Sequence, residues 1–180
     1  MHSRKKRSAQ TREQRRLNVS SFQIAPVRKS IVVQATAKKA FEVFTVGIDR
    51  WWPRDHGLGA GLVIESVIEP FVGGRWYSRH ADGVEAVVGH VLVWEPAQRL
   101  VCSWEISADW KPEPRSAFAS EVEVRFVPEG PGTTRVELEH RNFERMAAPG
   151  GEKLRNDVDR GWPKIMELFG DELSRQGRTG

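Results

Sequence analysis

The sequence has one cysteine, one tyrosine and no run of about 20 apolar residues. A single cysteine cannot form an intramolecular disulfide. Cys102 lies in a strand-like run at residues 100–104, so we interpret it as a small buried side chain. Without a long apolar run no transmembrane helix is predicted, and the basic N-terminus lacks the apolar segment of a secretory signal. We therefore expect a reducing, cytoplasmic setting.

The sequence also lacks the patterns that bind metals and phosphates. Its histidines form no H-x-H, H-E-x-x-H or Cys/His cluster, so we predict no metal site. Gly57, Gly59 and Gly61, and the Gly73-Gly74 pair, do not open a helix after a strand, as a dinucleotide or phosphate loop requires. We predict no cofactor.

Positive charge is concentrated in one short segment. Residues 1–21 contain seven Lys or Arg and one Glu, a net charge of +6, whereas the whole chain carries +4. The remainder is therefore slightly acidic. We interpret residues 1–26 as a basic, disordered tail, residues 27–175 as one domain, and residues 176–180 as a flexible C-terminus. A contact of the tail with nucleic acid or an anionic membrane, or a transit peptide, is the alternative.

The composition is typical of a single globular domain: 39% of residues are hydrophobic and 29% charged. Seven tryptophans and eight phenylalanines provide bulky side chains for the interior. So many indoles in a small domain suggest an aromatic-lined core.

Hydrophobic periodicity predicts the order of elements. Residues 27–35 are predicted as a strand and residues 37–46 as a helix, with Thr36 as its N-cap. A period of two then predicts six strands, at residues 62–69, 75–81, 84–95, 99–106, 118–127 and 133–141. A helical stripe returns at the C-terminus, interrupted by Pro163, where a new helix starts or a long helix kinks. That stripe consists of Leu154, Val158, Trp162, Ile165, Met166, Phe169 and Leu173.

Turn positions predict how the strands pair. A two-residue hairpin at Asp82-Gly83 places three pairs on one face: Trp76 with Gly89, Ser78 with Val87, and His80 with Glu85. A loop at residues 95–98 pairs Val93 with Leu100, Val91 with Cys102, and Gly89 with Trp104. A turn at residues 128–132 places Ser120 opposite His140. It also turns Val122, Val124, Val136 and Leu138 inward and leaves Glu121, Glu123, Arg125, Arg135, Glu137 and Glu139 facing water. One sheet with helices on one face is an α+β domain.

Several of these segments resemble, in their order and spacing, the family of homologues of the activator of heat shock protein 90 ATPase. The resemblance covers residues 27–175 and is carried by the helix with Phe41 and Phe44, Trp51-Trp52, Pro70-Phe71-Val72-Gly73-Gly74-Arg75-Trp76, Gly89-His90-Val91, Glu95-Pro96-Ala97-Gln98-Arg99-Leu100, Trp104, Gly132-Thr133-Thr134, His140 and Gly161-Trp162. It implies the START-like (SRPBCC) helix-grip fold, in which a curved seven-stranded antiparallel sheet surrounds a long C-terminal helix. It also implies a cavity between the sheet and that helix.

The resemblance implies three kinds of function. Relatives across the superfamily bind lipids, hormones or polyketides, and we expect this chain to bind a small hydrophobic molecule without being an enzyme. A polyketide cyclase or dehydrase acting in the same cavity is the first alternative. The second is a module that interacts with a chaperone and stimulates its ATPase activity.

The expected ligand site combines indoles with a few polar groups. Gly89 is expected to leave space between Trp76 and Trp104. Ser120 beside His140 lacks the G-x-S-x-G turn and a third acidic partner, so we predict no catalytic residue and interpret His140 as lining the cavity or capping a strand end. His80 is expected to be solvated beside Glu85, and plain core packing is the alternative for each tryptophan. The predicted ligand-binding residues are Trp52, Trp76, Ser78, Gly89, Trp104, Ser120, His140 and Trp162.

Deleting residues 1–20 is expected to leave the melting temperature unchanged. The segment holds little apolar surface to offset an ordering entropy of about 1–2 kcal/mol per residue. Thermal unfolding of the truncated and full-length chains, followed by circular dichroism, is the measurement. A loss of several degrees would show that the tail docks on the domain.

Overall fold

The computed structural model describes residues 23–58 and 61–178. The predicted tail, residues 1–26, lies outside this description except for its last four residues. One of these, Ile24, packs against the core, and the carbonyl of Ala25 accepts a hydrogen bond from Arg155. Ile24 and Ala25 therefore contact the domain, although they precede its predicted first residue, Val27.

Within residues 23–58 and 61–178, the architecture consists of one antiparallel sheet, two α-helices and short 3-10 turns. The strands follow the spatial order β1-β7-β6-β5-β4-β3-β2, so the predicted α+β helix-grip fold with seven strands is confirmed. In chain order the elements are β1 (Val27–Val33), α1 (Ala37–Phe44), β2 (Val63–Ile68), β3 (Arg75–His80), β4 (Glu85–Glu95), β5 (Arg99–Trp104), β6 (Ser120–Gly130), β7 (Thr133–Arg141) and α2 (Gly150–Gly177). Among the helices of the described ranges, none combines the length and hydropathy of a membrane span.

The two helices follow the sequence signals closely. The side chain of Thr36 accepts a hydrogen bond from the Lys39 amide at 3.2 Å, which caps α1. The whole predicted stripe of α2 is buried. Pro163 lies inside α2, which runs as one helix through it and ends at Gly177. The alternative of a new helix starting at Pro163 is therefore wrong.

The inner face of the sheet carries the core side chains that the alternation predicts. Val122, Val124, Val136 and Leu138 are each at most 3% exposed. The β6–β7 register is nevertheless two residues away from the prediction, because β6 continues to Gly130 and shortens the turn. His140 pairs with Val122 instead of Ser120.

On the outer face, Glu123 was expected to face water and is instead only 4% exposed. Arg125 and Arg141 both donate to its carboxylate and cover it. The hydrogen bonds replace the lost hydration, so the charge remains compatible with burial.

Two β-bulges shift the predicted pairing around β4. Trp76 pairs with Gly89 as predicted, but a bulge moves the next pairs to Tyr77–Val87 and Ser78–Ala86. A second bulge after the correctly predicted Val91–Cys102 pair places Trp94, not Val93, opposite Leu100. Cys102 is 1% exposed, as expected, and burial raises the pKa of its thiol to about 12.

Gly89 is predicted to leave space between two indoles, but the structure places backbone, not open space, beside it. The β4–β5 ladder ends at the Val91–Cys102 pair, and a Cβ at Gly89 would lie 1.8 Å from the Ser103 carbonyl oxygen. Glycine is required there because two backbone segments approach closely. The predicted Gly89–Trp104 pair is therefore wrong.

Replacing Gly89 with alanine is expected to destabilise the domain by about 1–3 kcal/mol or more, because the new methyl group meets backbone that cannot move freely. Urea unfolding measures the change. Gly161→Ala is the matched control, since nothing lies within 4 Å of its Cβ position. In the interior of α2 that substitution should stabilise by about 0.5–1 kcal/mol. Equal effects of the two changes would contradict the close approach.

Candidate ligand-binding site

Four predicted tryptophans meet in a closed ring of indoles. Trp52 follows a 3-10 turn at Ile48–Arg50, Trp76 lies on β3, Trp104 ends β5, and Trp162 lies on α2. Their centroid distances around the ring are 5.1 Å (Trp52–Trp76), 5.6 Å (Trp76–Trp104), 5.9 Å (Trp104–Trp162) and 6.3 Å (Trp52–Trp162). Edge-to-face or tilted packing at these distances is favourable. We call this set the indole ring.

A cavity of about 280 Å³ opens beside the indole ring. A second, of about 50 Å³, adjoins it between Trp110 and helix α2. Both cavities share Trp52, His56, Trp104 and Trp110 in their walls. The larger is completed by Asp55, Gly57, Leu58, Val88 and Ile106, and the smaller by Asp157, Val158, Gly161, Trp162 and Ile165. Together we call them the indole cavity.

Three of the eight predicted site residues, Trp52, Trp104 and Trp162, line this cavity. The other five are buried outside its walls: Trp76, Ser78, Gly89, Ser120 and His140. A wider groove of about 440 Å³ on the outer face of the sheet is lined mostly by charged side chains such as Arg141 and Glu123, which pair with one another. The indole cavity is therefore the better match for an apolar ligand.

His140 holds Trp162 in place. The indole N–H of Trp162 donates to His140 Nδ1 at 3.2 Å, and His140 Nε2 lies 2.8 Å from Ser120 Oγ. Because an indole nitrogen only donates, the imidazole carries its proton on Nε2 and donates it to Ser120. Burial lowers the pKa of His140 to about 3. The predicted contact between Ser120 and His140 is thus present. The two imidazole nitrogens of His140 link Ser120 to Trp162 and so orient Trp162, which lines the smaller cavity.

His80 is buried, which contradicts its expected solvation at the hairpin tip. It is 1% exposed, its Nδ1 donates to the Gly61 carbonyl at 2.9 Å, and its Nε2 lies 3.0 Å from Ser78 Oγ. The β3–β4 bulge is the reason, because it pairs Glu85 with Arg79 on the outer face. His80 anchors the loop that follows Trp52, and Gly57 passes so close that a Cβ would lie 2.7 Å from its Cε1.

Two cavity residues, His56 and Trp110, were missed because both lie in loops. His56 Nδ1 lies 3.0 Å from Asp55 Oδ1, and this hydrogen bond holds the pKa of Asp55 below its ordinary value. Trp110 has a φ of 58° and is 43% exposed. The sequence did hold one signal for Trp110. A tryptophan between two charged residues, Asp109 and Lys111, does not belong to a buried apolar run, so it is expected near the surface.

One buried indole N–H lacks an acceptor. Trp104 Nε1 has no hydrogen-bond partner among the described residues, although the side chain is only 5% exposed. The corresponding atoms of Trp51 and Trp162 donate to Val43 O and to His140. A buried donor without a partner costs about 1–3 kcal/mol and calls for an explanation.

The fold and this cavity define a START-like domain. The family model described as "Activator of Hsp90 ATPase homolog 1-like protein" matches residues 34–173, and the chain belongs to that family. No curated protein matches the sequence.

Solved structures of the same fold include two relatives with clear sequence similarity. The anthrahydroquino-γ-pyrone synthase Txn09, complexed with SUM, is 41% identical; the match covers 83% of this chain and 97% of that one, with a TM-score of 0.59. The self-sacrificing resistance protein CalC from Micromonospora echinospora is 32% identical, with coverages of 84% and 95% and a TM-score of 0.61. Protein MLL2253 from Mesorhizobium loti, at 21% identity with coverages of 84% and 98% and a TM-score of 0.61, shares the fold.

The buried neutral state of His140 predicts a pH dependence of stability. Because its folded pKa of about 3 lies below the ordinary value of 6.5, the unfolded chain binds the extra proton between these values. The contribution of His140 to the free energy of unfolding is therefore complete above pH 6.5. It decreases as the pH falls below that value, by about 1.4 kcal/mol per pH unit for one proton.

His140→Gln keeps an acceptor and a donor but cannot titrate. Urea unfolding from pH 4.5 to 7.5 should therefore give a flatter curve for the variant than for the parent. Parallel curves would show that His140 is not held neutral by the fold.

Proposed function

We propose that the protein binds a small planar aromatic molecule that carries a carbonyl or quinone oxygen. The observation that carries the proposal is the indole cavity, whose walls include four tryptophans, and one of these, Trp104, has a buried indole N–H without a partner among the described residues. The aromatic walls suit a flat apolar ligand, and the N–H suits one acceptor atom on it. This refines the expectation of a hydrophobic ligand.

The size and lining of the cavity support a compact ligand. Its volume lies near the lower end of the range of about 300–1,000 Å³ that is typical of ligand sites. Trp52 and Trp104 are fixed by the indole ring, whereas Trp110 stands at the surface. A flat ligand can therefore rest against rigid indoles while Trp110 covers it from the solvent side.

The Trp104 N–H supports an oxygen acceptor on the ligand. A carbonyl oxygen that accepted this hydrogen bond would remove the cost of the unpaired donor. A pure hydrocarbon of the same shape would leave that cost in place. The cavity is therefore expected to prefer the oxygenated molecule.

A second candidate function is ring closure on the bound molecule. The 41% identity to a γ-pyrone synthase, over nearly all of that chain, favours it. A γ-pyrone synthase handles oxygenated aromatic molecules, the class that the walls of the indole cavity suit. The chaperone-interacting alternative stays a prediction, to be tested by a pull-down and an ATPase assay.

Anthraquinone-2-sulfonate and anthracene-2-sulfonate form a matched pair of probes, because they differ in the quinone oxygens. Quenching of tryptophan fluorescence measures their binding. The parent protein is expected to bind the quinone more tightly. Trp104→Phe should weaken quinone binding by about two- to tenfold more than anthracene binding, because one hydrogen bond worth about 0.5–1.5 kcal/mol is lost.

Trp94→Phe is the control, because Trp94 packs against Phe41 and is not a wall of the cavity. It should leave both affinities unchanged. An equal loss for both probes in Trp104→Phe would show that this indole contributes packing alone. If the parent binds neither probe, the proposal is wrong.

A further inference from the structure

We propose that His56, oriented by Asp55, is the catalytic acid–base residue of an oxygen-ring closure in the indole cavity. The substrate class is a 2-hydroxyaryl 1,3-diketone, which closes to a γ-pyrone. This inference rests on the proposed binding of an oxygenated aromatic molecule in the same cavity. It assigns the chemistry to a side chain outside the predicted site.

The position of His56 fits that role. Its side chain lies in the wall of both parts of the cavity and is 47% exposed, so it can exchange protons with solvent. Asp55 accepts a hydrogen bond from Nδ1 at 3.0 Å, which leaves Nε2 as the basic nitrogen. A carboxylate behind an imidazole fixes its tautomer in the way that a base requires.

The other described histidines are occupied elsewhere. Both nitrogens of His140 and of His80 are engaged with protein groups, and both rings are buried. His90 lies across the sheet, where its Nδ1 contacts Glu105 at 2.9 Å. Among the described residues, His56 is therefore the imidazole that a ligand in the indole cavity can reach.

The loop carrying His56 is held at both ends. Arg54 donates to Asp49 at 2.7 Å before it, and Asp49 also accepts from the Ser66 amide at 2.8 Å. His80 donates to Gly61 after it. The His56 amide donates to the Pro53 carbonyl at 3.2 Å. These contacts restrain the backbone near His56, which reduces the cost of positioning its imidazole during reaction.

The chemistry balances without any oxidant or reductant. Nε2 of His56 takes the phenolic proton as the phenol oxygen bonds to the distal ketone carbon. The resulting alkoxide takes that proton back and becomes a hemiketal hydroxyl. Next, Nε2 removes a proton from the carbon between the two ketone carbons, and the imidazolium returns it to the leaving hydroxyl. One water is lost, a C=C bond forms, and His56 ends neutral.

The test uses 1-(1-hydroxy-2-naphthyl)butane-1,3-dione as substrate. Absorbance follows formation of the naphthopyrone in single turnovers, and tryptophan quenching measures substrate binding separately. His56→Gln is expected to bind within about twofold of the parent and to close the ring at least about 100-fold more slowly. His56→Ala should regain part of its rate when imidazole is added to the buffer.

His90→Gln is the matched control, because His90 is also an imidazole beside a carboxylate but lies outside the cavity. It should keep the parental rate. Ring closure by His56→Gln at the parental rate would overturn the assignment. A parent that binds the diketone but does not accelerate closure would also overturn it while leaving the binding proposal intact. A parent that does not bind the diketone or either sulfonate probe would defeat both.

Discussion

The packing of indoles from four separate elements is the interaction on which the rest of this structure depends. The ring joins the loop after α1, strands β3 and β5, and helix α2, so it attaches the helix to the sheet at one point. Aromatic pairs of this kind contribute about 0.5–1.5 kcal/mol each beyond the area they bury. The His140 bond to Trp162 fixes the remaining orientation. A cavity can exist beside such a ring because its rigid indoles do not collapse into the space.

Most of the fold could be predicted because burial imposes a period on the sequence. The α2 stripe and the inner residues of β6 and β7 follow from alternation alone. The exact pairing register between neighbouring strands could not be predicted, because a β-bulge leaves no periodic pattern in the sequence. The one beside Gly89 depends on how closely the Ser103 backbone approaches, and the β6–β7 shift depends on the irregularity between Pro128 and Gly130 before the turn. The periodicity of the sequence reports neither of them.

The residues of the candidate site also fall into a group that the sequence predicts and a group that it does not. Trp52, Trp104 and Trp162 could be predicted because bulky apolar side chains have to meet inside. His56 and Trp110 could not, since loops carry no period and their positions depend on distant anchors such as the bond from His80 to Gly61. The prediction also took His140 for a polar lining group, whereas its Nδ1 accepts a hydrogen bond from Trp162, whose indole lines the smaller cavity. Polar residues on an inner face are more often partners of buried neighbours than of ligands.

The proposed binding and the proposed chemistry therefore lie on different parts of the molecule. Trp52, Trp104 and Trp162 in the walls of the cavity belong to the core, so a change in Trp104 is expected to alter stability and affinity together. His56 is half exposed on a loop, where substitution costs the fold little. One fold can therefore serve proteins of different activities, and the solved structures 41% and 32% identical to this chain are described as a synthase and a resistance protein. On this argument the residues at the loop positions of His56 and Trp110, more than the indole ring, determine what happens to a bound molecule.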